Sequence, residues 1–180
     1  MGVFIYLTGS YAYIRDTLRG KVKPNKVSFT MWSLASLIAF AAAIDEGAGI
    51  HALITFIVGV VPLSILLISL VNKKAYWKIT PFDLSCGALS VAGLILWQVT
   101  GEGNLAIAFS ILADGFAFVP TIRKAYSHPE TENAYAYLAA SIGIAFNLLA
   151  VEHWIFAAYA FPLYLLIADL IVFSLVRKSR

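Results

Sequence analysis

Two aspartates stand alone inside long apolar stretches of this chain, and they are the residues best placed to do chemistry. Asp114 lies nine positions before Arg123, and Asp169 lies eight positions before Arg177. At the helical rise of about 1.5 Å per residue, both carboxyls lie ~12–14 Å from the basic residue that follows them. Ionisable groups at such positions are costly and usually functional.

The chemistry expected of this pair is proton uptake and release. No Lys or Arg lies within any of the apolar stretches to neutralise the carboxylates. Burial favours the neutral acid, and a second carboxyl nearby favours it further, so either group could exchange a proton near neutral pH. Asp114 and Asp169 are therefore predicted as a proton-coupling pair, or as one proton site plus one substrate contact. The alternative is a protonated Asp bonded to a backbone carbonyl, which would only hold helices together.

Four further side chains are candidates for the same substrate or proton site. Asn147 can donate to and accept from a polar solute, or it can bond a neighbouring helix. Ser64 and Ser141 could line a path, although small residues also permit close helix packing. Tyr164 could form part of a pocket wall. The sequence alone leaves these alternatives open.

Proline and aromatic residues suggest mechanical roles. Pro120 removes a backbone hydrogen bond near the end of an apolar stretch, which predicts a kink that could serve as a hinge. Trp32 and Tyr137 are interpreted as anchors at a membrane surface, where amphipathic rings are enriched.

His51 and His153 lie close to acidic residues but lack the spacing of metal ligands, so no metal site is predicted.

Composition places all these residues in a membrane protein. Hydrophobic residues make up 61% of the 180 residues, charged residues 13%, and the mean hydropathy is +0.83. Soluble domains carry about 25% charged residues. A membrane span needs about 20 largely apolar residues, and the chain divides into seven such segments: 2–14, 28–44, 50–71, 81–99, 104–122, 133–151 and 153–176. The predicted fold class is therefore all-α, a polytopic membrane protein with seven transmembrane helices.

The positive charges indicate the orientation of these segments. Every Lys and Arg falls in an odd-numbered connection or in the tail: Arg15, Arg19, Lys21, Lys23, Lys26, Lys73, Lys74, Lys78, Arg123, Lys124, Arg177, Lys178 and Arg180. Cytoplasmic loops collect Lys and Arg. We therefore expect a multi-pass inner-membrane protein with its N-terminus outside and its C-terminus in the cytoplasm. This topology also accounts for the net charge of +3, so no nucleic-acid partner is predicted.

The fourth segment has the clearest start. Thr80 can cap a helix, Pro81 suits its first position, and Asp83 favours its positive end. The aromatic residues Tyr76 and Trp77 precede it, where rings prefer the headgroup layer. We interpret this segment as a single connecting helix.

The segments on either side of this connector form an internal repeat. With a shift of about 105 positions, Pro24 aligns with Pro129 and Trp32 with Tyr137 without a gap. The predicted domains are a three-helix repeat at 1–73, a linker and inversion helix at 74–102, and a second repeat at 103–180. A single linking helix makes the two copies parallel, related by an axis along the membrane normal.

This three-one-three arrangement resembles the SWEET and PQ-loop transporter superfamily. The best local match is 118–124, followed by Pro129 and 133–141. The family's Pro-Gln pair is half kept as Pro120-Thr121, and Arg15-Asp16 stands at the equivalent position of the first copy. The run 169–173 is similar to that of helix 7 in the proton-coupled PQ-loop branch. The Asn of sugar-carrying members has no clear match, so the resemblance does not imply a sugar.

The resemblance implies a transporter of a small polar solute that works by alternating access. Proton coupling through Asp169, helped by Asp114, is a hypothesis that follows from their expected burial without a countercharge. The related KDEL-receptor fold offers a second interpretation, a receptor or cargo-binding protein without transport, and a non-transporting scaffold subunit is a third. The expected partners are a small-molecule solute and the lipid bilayer. The sequence does not decide whether the chain forms a homo-oligomer. Neither a nucleophile motif nor a phosphate-binding glycine loop occurs, so we predict no enzyme, no catalytic residue and no cofactor.

Overall fold

The computed structural model describes residues 2–45, 52–100 and 103–178, and these are all-α with no strand among them. The described residues form seven α-helices: α1 (Gly2–Leu18), α2 (Lys26–Asp45), α3 (Ala52–Val71), α4 (Pro81–Val99), α5 (Gly103–Ser127), α6 (Ala134–Leu149) and α7 (Phe156–Lys178). Single 3-10 turns follow α3 at Lys73–Ala75 and α5 at Pro129–Thr131. The number of helices predicted from the sequence is confirmed.

Two helices extend well beyond the segments predicted for them. The prediction ended α1 at Ile14 and α5 at Ile122, because polar residues follow there, yet α1 runs to Leu18 and α5 to Ser127. Charged residues end an apolar stretch without ending a helix. What stops α1 is Gly20, whose φ of +69° suits glycine. α5 stops just before the His128-Pro129 pair, since proline disfavours helical conformation in the residue before it.

The start of α4 is the one predicted from the sequence. The Thr80 side chain accepts a hydrogen bond from the Asp83 amide, and the Asp83 carboxylate accepts one from the Thr80 amide at 2.7 Å. This reciprocal capping box satisfies two amides that the helix itself leaves unpaired. The Asn25 side chain, which is fully buried, donates to the same carboxylate and so ties the start of α4 to that of α2.

The packing pattern is the same in both halves of the chain. α3 packs against both α1 and α2, and α7 packs against both α5 and α6. The two halves meet where α1 packs on α6 and α2 on α5, and α4 packs mainly on α5.

The α1–α6 contact is unusually close along its length. A Cβ added to Gly9 would lie 2.7 Å from the Ala139 Cβ, and one added to Gly143 would lie 2.9 Å from the Gly2 carbonyl oxygen. Both distances are shorter than real contacts of a Cβ, so glycine is required for the two backbones to approach this closely. We call this contact the α1–α6 seam.

The basic connections lie together at one end of the bundle, which we call the basic end. Asn72, after α3, donates to two carbonyls at the end of α1. The Trp77 ring, in the α3–α4 connection, lies 5.2 Å from the His128 ring in the α5–α6 connection. The Lys26 ammonium lies over the Tyr76 ring, and these contacts place the α1–α2, α3–α4 and α5–α6 connections side by side.

Within the described residues, two helices are long and apolar enough to cross a membrane, Pro81–Val99 and the stretch Ala158–Lys178 of α7. Shorter apolar stretches occur at Lys26–Ala41, Thr55–Val71 and Ala134–Leu149. In the most apolar 18 residues of each long stretch, only 28% of the residues are buried against the rest of the described chain. Large apolar side chains are exposed on them, for example Ile95 and Ile167, each more than half exposed.

Candidate functional site

A cavity of about 590 Å³ lies between the two halves of the bundle, and all seven helices contribute to its wall. Ligand sites typically have volumes of roughly 300–1,000 Å³ and a mostly apolar lining with few polar groups. This wall fits that description, because alanine, aliphatic and aromatic side chains form most of it. The charged residues in it are Asp114 of α5 and Asp169 of α7.

Asp114 is positioned by a bond to a candidate residue from another helix. The Tyr164 hydroxyl of α7 donates to Asp114 Oδ2 at 2.8 Å. The sequence analysis named both residues but did not pair them. The bond joins α5 to α7 and gives the Asp114 carboxyl a defined orientation.

Unlike Asp114, Asp169 has no hydrogen-bonding partner among the described residues. It is only 8% exposed and lines the cavity, yet within the described residues its carboxyl makes neither a hydrogen bond nor an ion pair. Buried polar groups are normally paired, so an unpaired one requires an explanation such as an unseen ligand, water or proton. Its carboxyl is therefore available to a ligand in the cavity.

The lining contains no Lys, Arg or His among the described residues. The titratable groups that share the cavity with the two aspartates are the tyrosines Tyr6 and Tyr13 of α1 and Tyr137 of α6, with Tyr164 on the Asp114 side chain. The lining residues of α2, α3 and α4 are not titratable. The two carboxyls therefore have no fixed positive partner in the cavity.

Four of the predicted substrate or proton-site residues lie outside the cavity lining, although one of them, Tyr164, bonds to Asp114. The hydroxyl of Ser64 donates to the Val60 carbonyl at 2.8 Å, and that of Ser141 donates to the Tyr137 carbonyl at 2.9 Å. Both bonds stay within a single helix, as serine commonly does in apolar helices. Asn147 is exposed near the end of α6. The repeat alignment predicted which positions of the two halves correspond to each other. It did not predict which side of each helix faces the cavity.

Five aromatic side chains close the cavity toward the basic end, and we call them the aromatic floor. Neighbouring rings touch in the order Tyr137, Tyr13, Phe29, Trp32 and Phe118, with centroid distances of 6.2, 5.3, 5.0 and 4.8 Å. The order runs through α6, α1, α2 and α5 and therefore spans both halves. All five line the cavity.

This arrangement corrects one prediction. Trp32 and Tyr137 were expected to lie at a membrane surface, but they form part of the cavity wall, and Tyr137 is only 6% exposed. The cause is the length of α5 and the α5–α6 connection, which continue past these rings and cover them. The Trp32 indole Nε1 is buried with no partner among the described residues, so it could donate to a ligand.

Beneath the floor lies a fully buried ion pair. Lys124 Nζ is 2.6 Å from Glu132 Oε1, and their side chains are 1% and 0% exposed. Glu132 Oε2 accepts from the Tyr13 hydroxyl at 2.9 Å and from the Tyr137 hydroxyl at 3.1 Å. Lys124 also donates to the Lys23 carbonyl. The Tyr13 and Lys23 bonds cross between the two halves, so this cluster fastens them together at the basic end.

The halves are also joined by two hydrogen bonds at equivalent positions of the repeat. Asn133 Nδ2 donates to Asp16 Oδ2 at 2.8 Å, and the Thr121 hydroxyl donates to the Ser28 hydroxyl at 2.9 Å. Asp16 corresponds to Thr121, and Ser28 corresponds to Asn133, under the shift of about 105 positions. The two bonds therefore join the halves at positions that this shift of the sequence makes equivalent.

Pro120 lies inside α5 beside this contact and is fully buried. The helix continues for seven residues after it, to Ser127. Pro62 occupies the interior of α3 and lines the cavity. Neither position tests whether the prolines act as hinges, so that role stays a prediction.

Sequence reasoning missed the buried cluster because Lys124 was counted among the loop cations. The available signal was Glu132, eight positions later, with Pro129 between them, a spacing that allows a turn to bring the two charges together. Of the acidic and His residues predicted in the opposite connections, Glu46 and His51 lie outside the described residues.

No family model matches this chain, nor does any curated protein or solved structure. Its function is therefore inferred from the cavity itself.

Proposed function

We propose that this chain is a polytopic membrane transporter that carries a small solute through the central cavity by alternating access. The observation that carries the proposal is a cavity between two similarly built halves, closed toward the basic end by side chains. It contains two carboxyls that have no countercharge among the described lining residues. Such a site near the middle of the bundle, flanked by internal repeats, is the common arrangement of secondary transporters.

The surface of the bundle supports the membrane setting. A core helix of a soluble protein is mostly buried, whereas only 28% of the residues in the most apolar part of each of these two stretches are buried. A soluble monomer rarely exposes contiguous apolar patches larger than a few hundred Å². Lipid would cover these side chains. The clustering of Lys and Arg at the basic end supports a cytoplasmic position for that end.

On this proposal the described conformation is closed to the cytoplasm. The aromatic floor and the Lys124–Glu132 cluster separate the cavity from the basic end. Opening that end requires the halves to part, which breaks the Tyr13–Glu132 bond and the Lys124 bond to Lys23. The Asp16–Asn133 and Thr121–Ser28 bonds cross between the halves at the same end and would break with them.

Proton coupling follows from the two carboxyls. A buried carboxylate is stabilised by a positive solute or by a proton, and the described part of the cavity wall supplies no positive charge. Asp169, which lacks a partner among the described residues, would bind and release the proton. Asp114, oriented by Tyr164, would assist it.

The orientation is tested by cysteine labelling. In a Cys86→Ser background, Tyr126→Cys places a thiol at the basic end and Ala150→Cys places one at the opposite end; both positions are exposed. A membrane-impermeant maleimide added to intact cells is expected to label position 150 and not position 126. Labelling of both positions from the same side would refute the proposed topology.

Transport is tested in proteoliposomes. Amino acids, sugars, nucleosides and amines are first screened by thermal shift, because a ligand that binds the folded state raises its stability. Counterflow of the labelled hit is then expected, with a rate that depends on an imposed pH gradient. Asp169→Asn should abolish that dependence, and Glu130→Gln, an exposed carboxyl outside the cavity, should not. A variant Asp169→Asn that keeps the same pH dependence refutes proton coupling, and binding without counterflow would identify a receptor.

A further inference from the structure

We infer that the cavity binds an organic ammonium ion with an aromatic or apolar body and no carboxylate. The inference rests on the proposed function, since it names the class of solute that the same cavity takes. It derives from the distribution of charge and aromatic rings in the wall.

The positive charge of the ligand follows from Asp169. Its carboxyl is more than nine-tenths buried, lines the cavity and has no partner within the described residues. An ammonium group supplies both the charge and the N–H donors that a buried carboxylate requires. Asp114 adds a second carboxyl to the same cavity, and the Tyr164 bond leaves its other oxygen available for a donor.

The body of the ligand follows from the rest of the wall. Phe118 and Trp32 of the aromatic floor, together with Trp97 and Phe161 farther along α4 and α7, line the cavity. Aromatic faces attract cations and pack against flat apolar groups. An arylalkyl amine satisfies both kinds of surface.

The same wall disfavours two other solute classes. An amino acid would bring a carboxylate into a cavity whose described lining contains two carboxyls and no Lys, Arg or His, where like charges repel. A sugar needs many hydrogen-bonding partners, because each unpaired buried hydroxyl is costly. Among the lining hydroxyls, those of Ser10 and Ser110 already donate to carbonyls of their own helices. The remaining Ser and Thr hydroxyls of the described lining, Ser36, Thr55 and Ser90, are too few to pair the hydroxyls of a sugar.

The test uses probes that share one aromatic body and differ in its polar groups: an ammonium alone, an ammonium with a carboxylate, or a hydroxyl. With purified protein in detergent, binding of 2-phenylethylamine, phenylalanine and 2-phenylethanol is measured by titration calorimetry. A second series with an indole body comprises tryptamine, tryptophan and tryptophol. We expect the amine of at least one series to bind at least tenfold more tightly than its amino acid and its alcohol.

The variants assign this binding to the cavity. Asp169→Asn keeps the size of the side chain and removes its charge, so it should weaken amine binding by about 10- to 100-fold. Asp169→Glu should retain binding to within about tenfold, which shows that the site is folded. Glu130→Gln should bind like the unmodified protein, and any uptake of amine by the detergent would be the same in all variants.

The outcomes separate this inference from the proposed function. Preference for an amino acid or alcohol, amine binding that is unchanged in Asp169→Asn, or no Asp169-dependent amine binding in either series overturns the ligand class. Asp169-dependent amine binding without counterflow in proteoliposomes supports the ligand class and refutes transport. Counterflow of another solute without amine binding does the reverse.

Discussion

Removing one partner of the buried Lys124–Glu132 pair should strongly destabilise the protein. The pair is 2.6 Å apart and has almost no exposure, so a single substitution leaves the other charge buried without its counterion. Removing one partner of a buried ion pair lowers the free energy of unfolding by about 3–5 kcal/mol. We expect Lys124→Met and Glu132→Gln each to lower the free energy of unfolding by about that amount.

The double variant should cost much less than the sum of the two. In Lys124→Met with Glu132→Gln no charge remains, and the glutamine carbonyl can still accept from the Tyr13 and Tyr137 hydroxyls. The main remaining loss is the partner of the Lys23 carbonyl, which costs about 1–3 kcal/mol. The sum of the single effects would be about 6–10 kcal/mol, so the coupling between the two positions should amount to several kcal/mol.

The measurement is thermal unfolding of the purified variants in one detergent. For a chain of this size each kcal/mol shifts the midpoint by about 2–4 °C, so each single variant should unfold roughly 6–20 °C earlier. Arg123→Met is the control, because the neighbouring Arg123 is exposed and only lies over the Phe82 ring at 4.5 Å. Single losses below about 1 kcal/mol, or a double loss equal to the sum, would refute the reasoning.

Three further predictions concern the seam, the α4 cap and the floor. Gly9→Ala should lower the free energy of unfolding by about 1–3 kcal/mol, because the new Cβ overlaps α6. Gly115→Ala should be neutral or stabilising in the same thermal assay, since its Cβ meets ordinary contacts at 3.7 Å. Thr80→Ala should cost about 0.5–2 kcal/mol through loss of the capping bond, and Ser85→Ala, exposed in the first turn of α4, should not; equal losses would contradict the cap. Tyr13→Phe keeps the ring but loses its hydrogen bond to the buried Glu132 carboxylate, so the aromatic floor should open more often. A cysteine placed in the cavity should then react faster with maleimide added from the basic end. An unchanged rate would mean that this bond does not hold the floor closed.

Features that depend on neighbouring residues in the chain could be predicted from the sequence. The start of α4 follows from Thr80, Pro81 and Asp83, whose contacts are all local, and the prediction is confirmed. The number of helices follows from the apolar stretches. The far ends of α1 and α5 could not be predicted in this way, because hydropathy reports where an apolar stretch ends and gives no signal for a helix that continues beyond it.

The candidate site was predictable only in part, because a cavity depends on which side of each helix faces inward. The rarity of charge in apolar stretches was sufficient to select Asp114 and Asp169, and both line the cavity. Ser64 and Ser141 were selected by type alone, and their hydroxyls bond within their own helices. The Tyr164 bond to Asp114 joins positions fifty residues apart, a distance at which sequence spacing carries no information about contact.

The α1–α6 seam restricts how the two halves can move. Backbones in direct contact leave no free volume for one helix to translate along the other, since a shift of one residue would bring side chains into the places that Gly2, Gly9 and Gly143 now occupy. Rotation about the seam is the motion that keeps these contacts. Displacement then grows with distance from that axis, so α2 and α3 swing farthest, whereas α1 and α6 mainly turn against each other, and this turn breaks the Tyr13 and Asp16 bonds at the basic end.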